Sequence, residues 1–238
     1  MHLVRNREAT TMIKVLAFDT FGTVTDWHTG VGDAMAGIFP EVDAHALTRD
    51  WRRAYSPALR DVEAGRRPWA LLDDLHRESL TVLLHDRGVT PTDGQLDAAV
   101  HAWHVIPGWP DVSAALRRLR SRYIVGTLSN GNVALLVEMA KHSDLAWDFI
   151  GGADIWGHYK PAADTYLGIT RILDVAPDEV LMVATHSWDL DAARSYGLQT
   201  AYVERPHEWG PERKEEARDP ANLFHVTDLG ELADLLGC

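Results

Sequence analysis

The sequence predicts an α/β fold, a doubly wound parallel sheet interrupted after its first strand by an all-helical block. Three observations predict it. Short apolar runs such as Ile13 to Phe18 and Val180 to Ala184 read as strands buried on both faces. From Pro107 onward, strand and helix patterns alternate, which implies parallel strands joined by crossover helices. Between Asp26 and Pro107 lie about 80 residues of helical periodicity with no strand signal.

The elements follow in order. Ile13 to Phe18 is the first strand; it ends in Asp19, and Gly22 allows a tight turn. Within the helical block, helices are expected over Val31 to Phe39, Ala44 to Glu63, Trp69 to Arg87 and Thr92 to His104. Gly65 and Pro68 separate the second from the third, and Gly88 caps the third. Beyond Pro107-Gly108-Trp109-Pro110, strands are expected at Tyr123 to Leu128, Phe149 to Ala153, Val180 to Ala184 and Thr200 to Val203. Helices are expected at Asp111 to Arg120, Val133 to His142, Ala162 to Leu173, Leu190 to Tyr196 and Asp228 to Leu236. The polar stretch from Glu208 to Asn222 reads as a surface loop. The chain therefore divides into a core of residues 12–26 and 107–238 and a helical insert of residues 27–106. Residues 1–11 read as a loose leader without the apolar core of a signal peptide, with Met12 as an alternative start.

Composition narrows the function. At 238 residues, the chain can bury a sizeable core. A net charge of −12 argues against a nucleic-acid partner, which requires clustered Lys and Arg. It leaves room for a small anion held by one local cation. The single cysteine, Cys238, rules out an intrachain disulfide and suits a reducing cytoplasm. No apolar stretch is long enough to span a membrane as a helix.

Four segments at expected strand ends carry reactive side chains. In open parallel sheets, reactive groups gather beyond the carboxyl ends of the strands. Asp19 sits at such an end, either as a reactive carboxylate or as a turn cap. Ser129-Asn130-Gly131-Asn132 follows the second strand, either as an anion-binding turn or as a helix cap. Lys160 in Tyr159-Lys160-Pro161 is a site cation or a solvated charge. In Thr185-His186-Ser187-Trp188-Asp189, the carboxylate is functional or a plain N-cap.

Taken together, Asp19-x-x-Gly22-Thr23, Leu128-Ser129-Asn130, Lys160-Pro161 and the acidic turn ending at Asp189 resemble the haloacid dehalogenase superfamily, in motif order and spacing from Met12 to Leu236. The resemblance implies a Rossmann-like core with an inserted helical cap. It makes Asp19 the nucleophile and Thr23 its hydrogen-bonding threonine, with Ser129 in the second motif and Lys160 in the third. Most members are magnesium-dependent phosphatases with Asp-x-Asp in the first motif and Gly-Asp in the fourth. This chain has Phe21 and Ala184-Thr185 there, so the metal-ligand set is incomplete and no metal or other cofactor is expected.

The departures resemble the L-2-haloacid dehalogenase subfamily, which has an aromatic residue at the Phe21 position, Ser-Asn-Gly in the second motif, Trp-Asp in the fourth and a cap Arg preceded by Trp. Trp188-Asp189 and Trp51-Arg52 match. The resemblance implies attack by Asp19 on the halogen-bearing carbon, an aspartyl ester, and hydrolysis with Asp189 as base. Lys160 would keep Asp19 ionised and help to bind the substrate carboxylate. Ser129 and backbone N–H groups near Phe21 would also hold that carboxylate, and Arg52 and Asn130 would receive the halide. Phe21, Trp69 and Trp188 would wall the pocket. His186 stands where the subfamily often has Asn; it is expected either to crowd the pocket and donate to the halide, favouring haloacetates including fluoroacetate, or merely to bond a backbone carbonyl. The expected ligands are a small anionic haloacid and the halide released, with no nucleic acid or membrane partner, and a homodimer is implied by resemblance. A residual phosphatase and a non-catalytic acid-binding protein are the alternatives.

Overall fold

Runs of three to five apolar residues flanked by turn formers are too short for helices. In the computed structural model they pair into one six-stranded parallel sheet. The structure describes residues 13–212 and 217–238, so the leader and Met12 lie outside the described residues. The strands are β1 (Val15–Phe18), β2 (Ile124–Leu128), β3 (Phe149–Gly151), β4 (Val180–Ala184), β5 (Gln199–Val203) and β6 (Phe224–Val226), in the order β3-β2-β1-β4-β5-β6. β1 is central, and the chain builds outward from it in both directions. Phe18 lies in register with Thr127 and Val183. Asp19 therefore emerges at the level where β2 and β4 end, at the topological switch point.

The side chains of β1 and β4 alternate between two cores. Leu16, Phe18, Leu181 and Val183 face one, and Val15, Ala17, Val180 and Met182 face the other. The first core is completed by α5 (Val112–Leu119), α6 (Val133–His142) and α10 (Leu229–Leu235). The second is completed by α8 (Ala163–Leu173) and α9 (Ser187–Ser195). This is a doubly wound sheet, buried on both faces as its apolar strands require.

The helical block holds α1 (Trp27–Ile38), α2 (Ala44–Glu63), α3 (Leu72–His85) and α4 (Asp93–Ala102). They close a ring in which each helix packs on two others, around fully buried Trp27, Trp51 and Trp103. The block leaves and rejoins the core through one paired crossing, Asp26 N–H to Pro107 O at 2.9 Å and Trp109 N–H to Val24 O at 3.1 Å.

Several ends differ from the sequence expectation. α1 begins at Trp27 because Asp26 caps it, accepting from Thr29 N–H at 3.1 Å. α3 begins at Leu72, since residues 68–71 form no regular element and Leu71 is extended at the N-cap position. β3 stops at Gly151, and Ala153–Trp156 forms a single helical turn, α7, ended by Gly157 at φ +66°. α9 begins at Ser187, three residues before the first apolar position, with Asp189 in its first turn, where a carboxylate suits the helix dipole. β6 and the short 3-10 turn at Pro177–Glu179 were not expected. Among the described residues, no helix is long and apolar enough to cross a membrane.

Candidate active site

The four strand-end segments meet at the carboxyl edge of β1, β2 and β4. Asp19, the residue after β1, is buried. Its Oδ1 accepts from Lys160 Nζ at 2.9 Å. Its Oδ2 accepts from Thr23 Oγ1 at 2.7 Å and from His186 Nδ1 at 3.0 Å. Thr23 can reach back because Gly22 turns the chain at φ +88°. The Thr23 hydroxyl oxygen in turn accepts from Thr185 N–H at 3.0 Å, locking the first loop to the end of β4.

Lys160 is as buried as the carboxylates it joins and is no solvated charge; its side chain is 1% exposed. It bonds Asp189 as well as Asp19. Asp189 accepts a second bond from Tyr166 OH at 2.6 Å. His186, not Asp189, occupies the N-cap position of α9, which removes the plain-cap reading of Asp189. Asn130 Oδ1 accepts from Lys160 N–H at 2.7 Å, fixing the lysine's backbone. Ser129 Oγ shares a 2.6 Å hydrogen bond with Thr20 and accepts from Gly131 N–H. Asn132, at the N-cap of α6, does not cap it; its amide donates to Asp73 at 3.0 Å.

Arg52 enters from α2. Its guanidinium lies 4.4 Å from the Tyr55 ring centroid and 5.7 Å from that of Trp27, and its Nε is buried with no hydrogen-bond partner among the described residues. Phe21 is buried edge-on to Trp103 at 5.7 Å. Trp69 and Trp188, expected as pocket walls, keep 40% and 47% of their surface exposed. Trp69 stacks on Tyr159, and Trp188 lies over His186 and Lys160. Trp27, Tyr55 and Trp103, near Arg52 and Phe21, are buried.

Among the described residues, His186 bonds two carboxylates rather than a backbone carbonyl. Both ring nitrogens are committed to carboxylates, Nδ1 to Asp19 and Nε2 to Glu208 Oε1 at 3.0 Å. Both ring nitrogens are thus engaged by side chains among the described residues. Glu208 was read as part of a surface loop, yet it is buried and also accepts from Trp27 Nε1 at 3.0 Å. The only sequence signal for it was a carboxylate next to Trp209 inside an otherwise polar stretch. Tyr166 was missed as well, because it reads as an ordinary apolar position of α8.

Burial disfavours the Asp19 anion, but Lys160 and His186 outweigh it and hold Asp19 well below the usual carboxylate range. Burial pushes Asp189 up; Lys160 opposes the shift and the Asp19 charge adds to it. Burial would lower Lys160, but Asp189 and Asp19 raise it above the ordinary lysine range. Two carboxylates on one ammonium are thus driven apart, one as a committed anion and one as a stronger base. For His186, burial is overcome by Glu208 and Asp19, which push it up to about 10.

This donor set does not fit a divalent cation. Both Asp19 oxygens are taken by hydrogen-bond donors, two of them cationic, and hard metals need several free oxygen ligands. Among the described residues, no group of three or more His, Cys, Asp or Glu side chains could hold a metal ion.

A family model for haloacid dehalogenase-like hydrolases matches residues 13–197. The chain is 31% identical over 199 residues to (S)-2-haloacid dehalogenase 4A of Burkholderia cepacia, covering 81% of this chain and 84% of that one. Its structure is similar to that of the defluorinating L-2-haloacid dehalogenase Rha0230, with TM-score 0.92 and 40% identity over 95% of this chain and 96% of that one. It is also similar to an L-2-haloacid dehalogenase from Xanthobacter autotrophicus with chloropropionic acid covalently bound, with TM-score 0.81 and 26% identity over 94% and 98% of the two chains.

Proposed function

The chain belongs to the haloacid dehalogenase-like hydrolases, and on that premise we propose that it hydrolyses short 2-haloacids to 2-hydroxyacids through an ester on Asp19, without a metal. The observation that carries this reading is a buried, ionised Asp19 bonded by Lys160, Thr23 and His186. A carboxylate so held suits attack on carbon, and a halide leaves as an anion without needing a proton.

In the first step Asp19 attacks the halogen-bearing carbon. Ser129, Lys160 and backbone N–H groups near Phe21 hold the substrate carboxylate. Arg52, its Nε unpartnered among the described residues, and Asn130 receive the halide. Phe21 and the indoles around it exclude water. In the second step Asp189, aligned by Tyr166 and Lys160, takes a proton from the water that attacks the ester carbonyl. Residues 27–106 act as a cap that supplies Arg52. A homodimer is proposed on resemblance, and light scattering reads it.

The test is halide release from fluoroacetate, chloroacetate, 2-chloropropionate and 2-chlorobutyrate, with and without excess chelator. Release that continues in chelator, fastest on the haloacetates, is expected. No release from any of these acids, or release restored only by magnesium, overturns the reading. Single turnover in heavy-oxygen water is expected to label Asp19 before product.

A further inference from the structure

The two oxygens of Asp19 are not equivalent. Among the described residues Oδ1 has one partner, Lys160 at 2.9 Å, whereas Oδ2 has two, Thr23 at 2.7 Å and His186 at 3.0 Å. Donors tie down lone pairs, so Oδ1 is the freer attacker and Oδ2 becomes the carbonyl oxygen of the ester. His186 lies between two carboxylates, which accept only; to bond both, its ring must donate from both nitrogens as an imidazolium. Glu208 is itself fixed. It accepts from Trp27, and a Cβ placed on Gly22 would lie 2.4 Å from its Oε1, so its carboxylate packs directly on the turn that follows Asp19.

We propose that the chain Asp19–His186–Glu208 serves the second half of the reaction: His186 Nδ1–H and Thr23 Oγ1–H form the oxyanion site for ester hydrolysis, and Glu208 is the residue that positions His186 in it. The proposal rests on the aspartyl-ester reading above and adds a role for Glu208. Water oxygen bonds to Asp19 Cγ, one water proton passes to Asp189, and the carbonyl electron pair moves onto Oδ2. The adduct then collapses by breaking the Cγ–Oδ1 bond. Oδ1 departs with the substrate carbon as an alkoxide and takes the proton from Asp189, while the remaining hydroxyl proton leaves to solvent as Asp19 re-ionises. Oδ2 is least charged in the ester and most charged in the adduct, so donors fixed on it favour the transition state over the intermediate. With both ring nitrogens engaged by Asp19 and Glu208, His186 leaves the departing halide to other donors.

The test is pre-steady-state halide release from chloroacetate by Glu208→Gln, which keeps the shape and an acceptor but removes the charge. A burst of about one halide per site is expected, followed by a steady rate about tenfold below the parent. The acid-quenched protein should carry a carboxymethyl ester that intact mass spectrometry detects. His186→Leu should slow the second phase about a hundredfold. His186→Asn, which restores a single donor that needs no Glu208, should recover part of that loss and make Glu208→Gln silent when the two are combined. A parent that turns over while Glu208→Gln slows both phases alike without accumulating ester, or an undiminished Glu208→Gln effect in the His186→Asn background, overturns this inference alone. A parent that releases no halide overturns the underlying reading and this one with it.

Discussion

Lys160 is the residue on which the site's electrostatics turn. Among the described residues it is the one cation bonded to both Asp19 and Asp189, and all three are buried. Lys160→Met leaves two carboxylates facing each other without a cation between them. Unfolding by denaturant is expected to show a loss of about 3–5 kcal/mol, together with loss of halide release. Arg52 tests a different property. Its charge faces aromatic rings, and halide charge grows only toward the transition state. Arg52→Ala is therefore expected to lower kcat about a hundredfold with little change in KM, read by steady-state halide release. His186 gives a pH signature. Its folded pKa is raised from 6.5 to about 10, so its contribution to stability is fully present below pH 6.5 and is lost as pH rises through about 10. The difference in Tm between parent and His186→Asn should shrink across that window.

At the scale of elements, the turn after β1 is the part least tolerant of change. Gly22 sits at φ +88°, a conformation costly for a residue with a Cβ, and that Cβ would meet the Glu208 carboxylate. Gly22→Ala is expected to cost about 2 kcal/mol in denaturant unfolding and to lower kcat by displacing Glu208. The same turn is strapped from outside. Arg205, just beyond β5, donates to Thr23 O at 2.8 Å and forks onto Asp111, whose carboxylate also accepts from Leu229 N–H. One guanidinium thus ties the reactive loop to two helix N-termini. Local pattern found α1, α3 and α9 but misjudged their starts. α9 opens with Ser187-Trp188-Asp189, which lacks apolar periodicity, yet a turn set by the end of β4 and an acid near the dipole begin the helix there.

At the scale of the molecule, the helical block and the sheet are joined by a polar cluster beside the site. Asp73 on α3 accepts from Asn132 of the core, and His104 bonds both Asp73 and Glu138 of α6, with His101 also on Glu138. Burial lowers His104, but Asp73 and Glu138 outweigh it and raise it. The protonated bridge therefore strengthens the junction at low pH and weakens it as pH rises through the raised value. His104→Ala is expected to speed hydrogen exchange along α3 and to raise KM severalfold, because Arg52 then sits on a looser block.

The sequence by itself determined the doubly wound sheet, the helical block between Asp26 and Pro107, and Asp19, Lys160 and Asp189 as candidate site residues. Each is local information. Short apolar runs specify buried strands, their ends specify where reactive groups gather, and a motif of a few residues keeps its meaning wherever the chain goes. Tertiary structure decided which oxygen of Asp19 faces which donor, that His186 bridges two carboxylates, and that Trp69 and Trp188 stay half exposed. Above all it decided Glu208. A glutamate in a polar stretch with prolines and glycine reads as solvated, because nothing nearby in the chain can bury it. Its partners are Trp27, 181 positions earlier, and His186, 22 positions earlier. Whether a charge is buried depends on partners that only packing brings within reach, and no periodicity in the sequence records that distance.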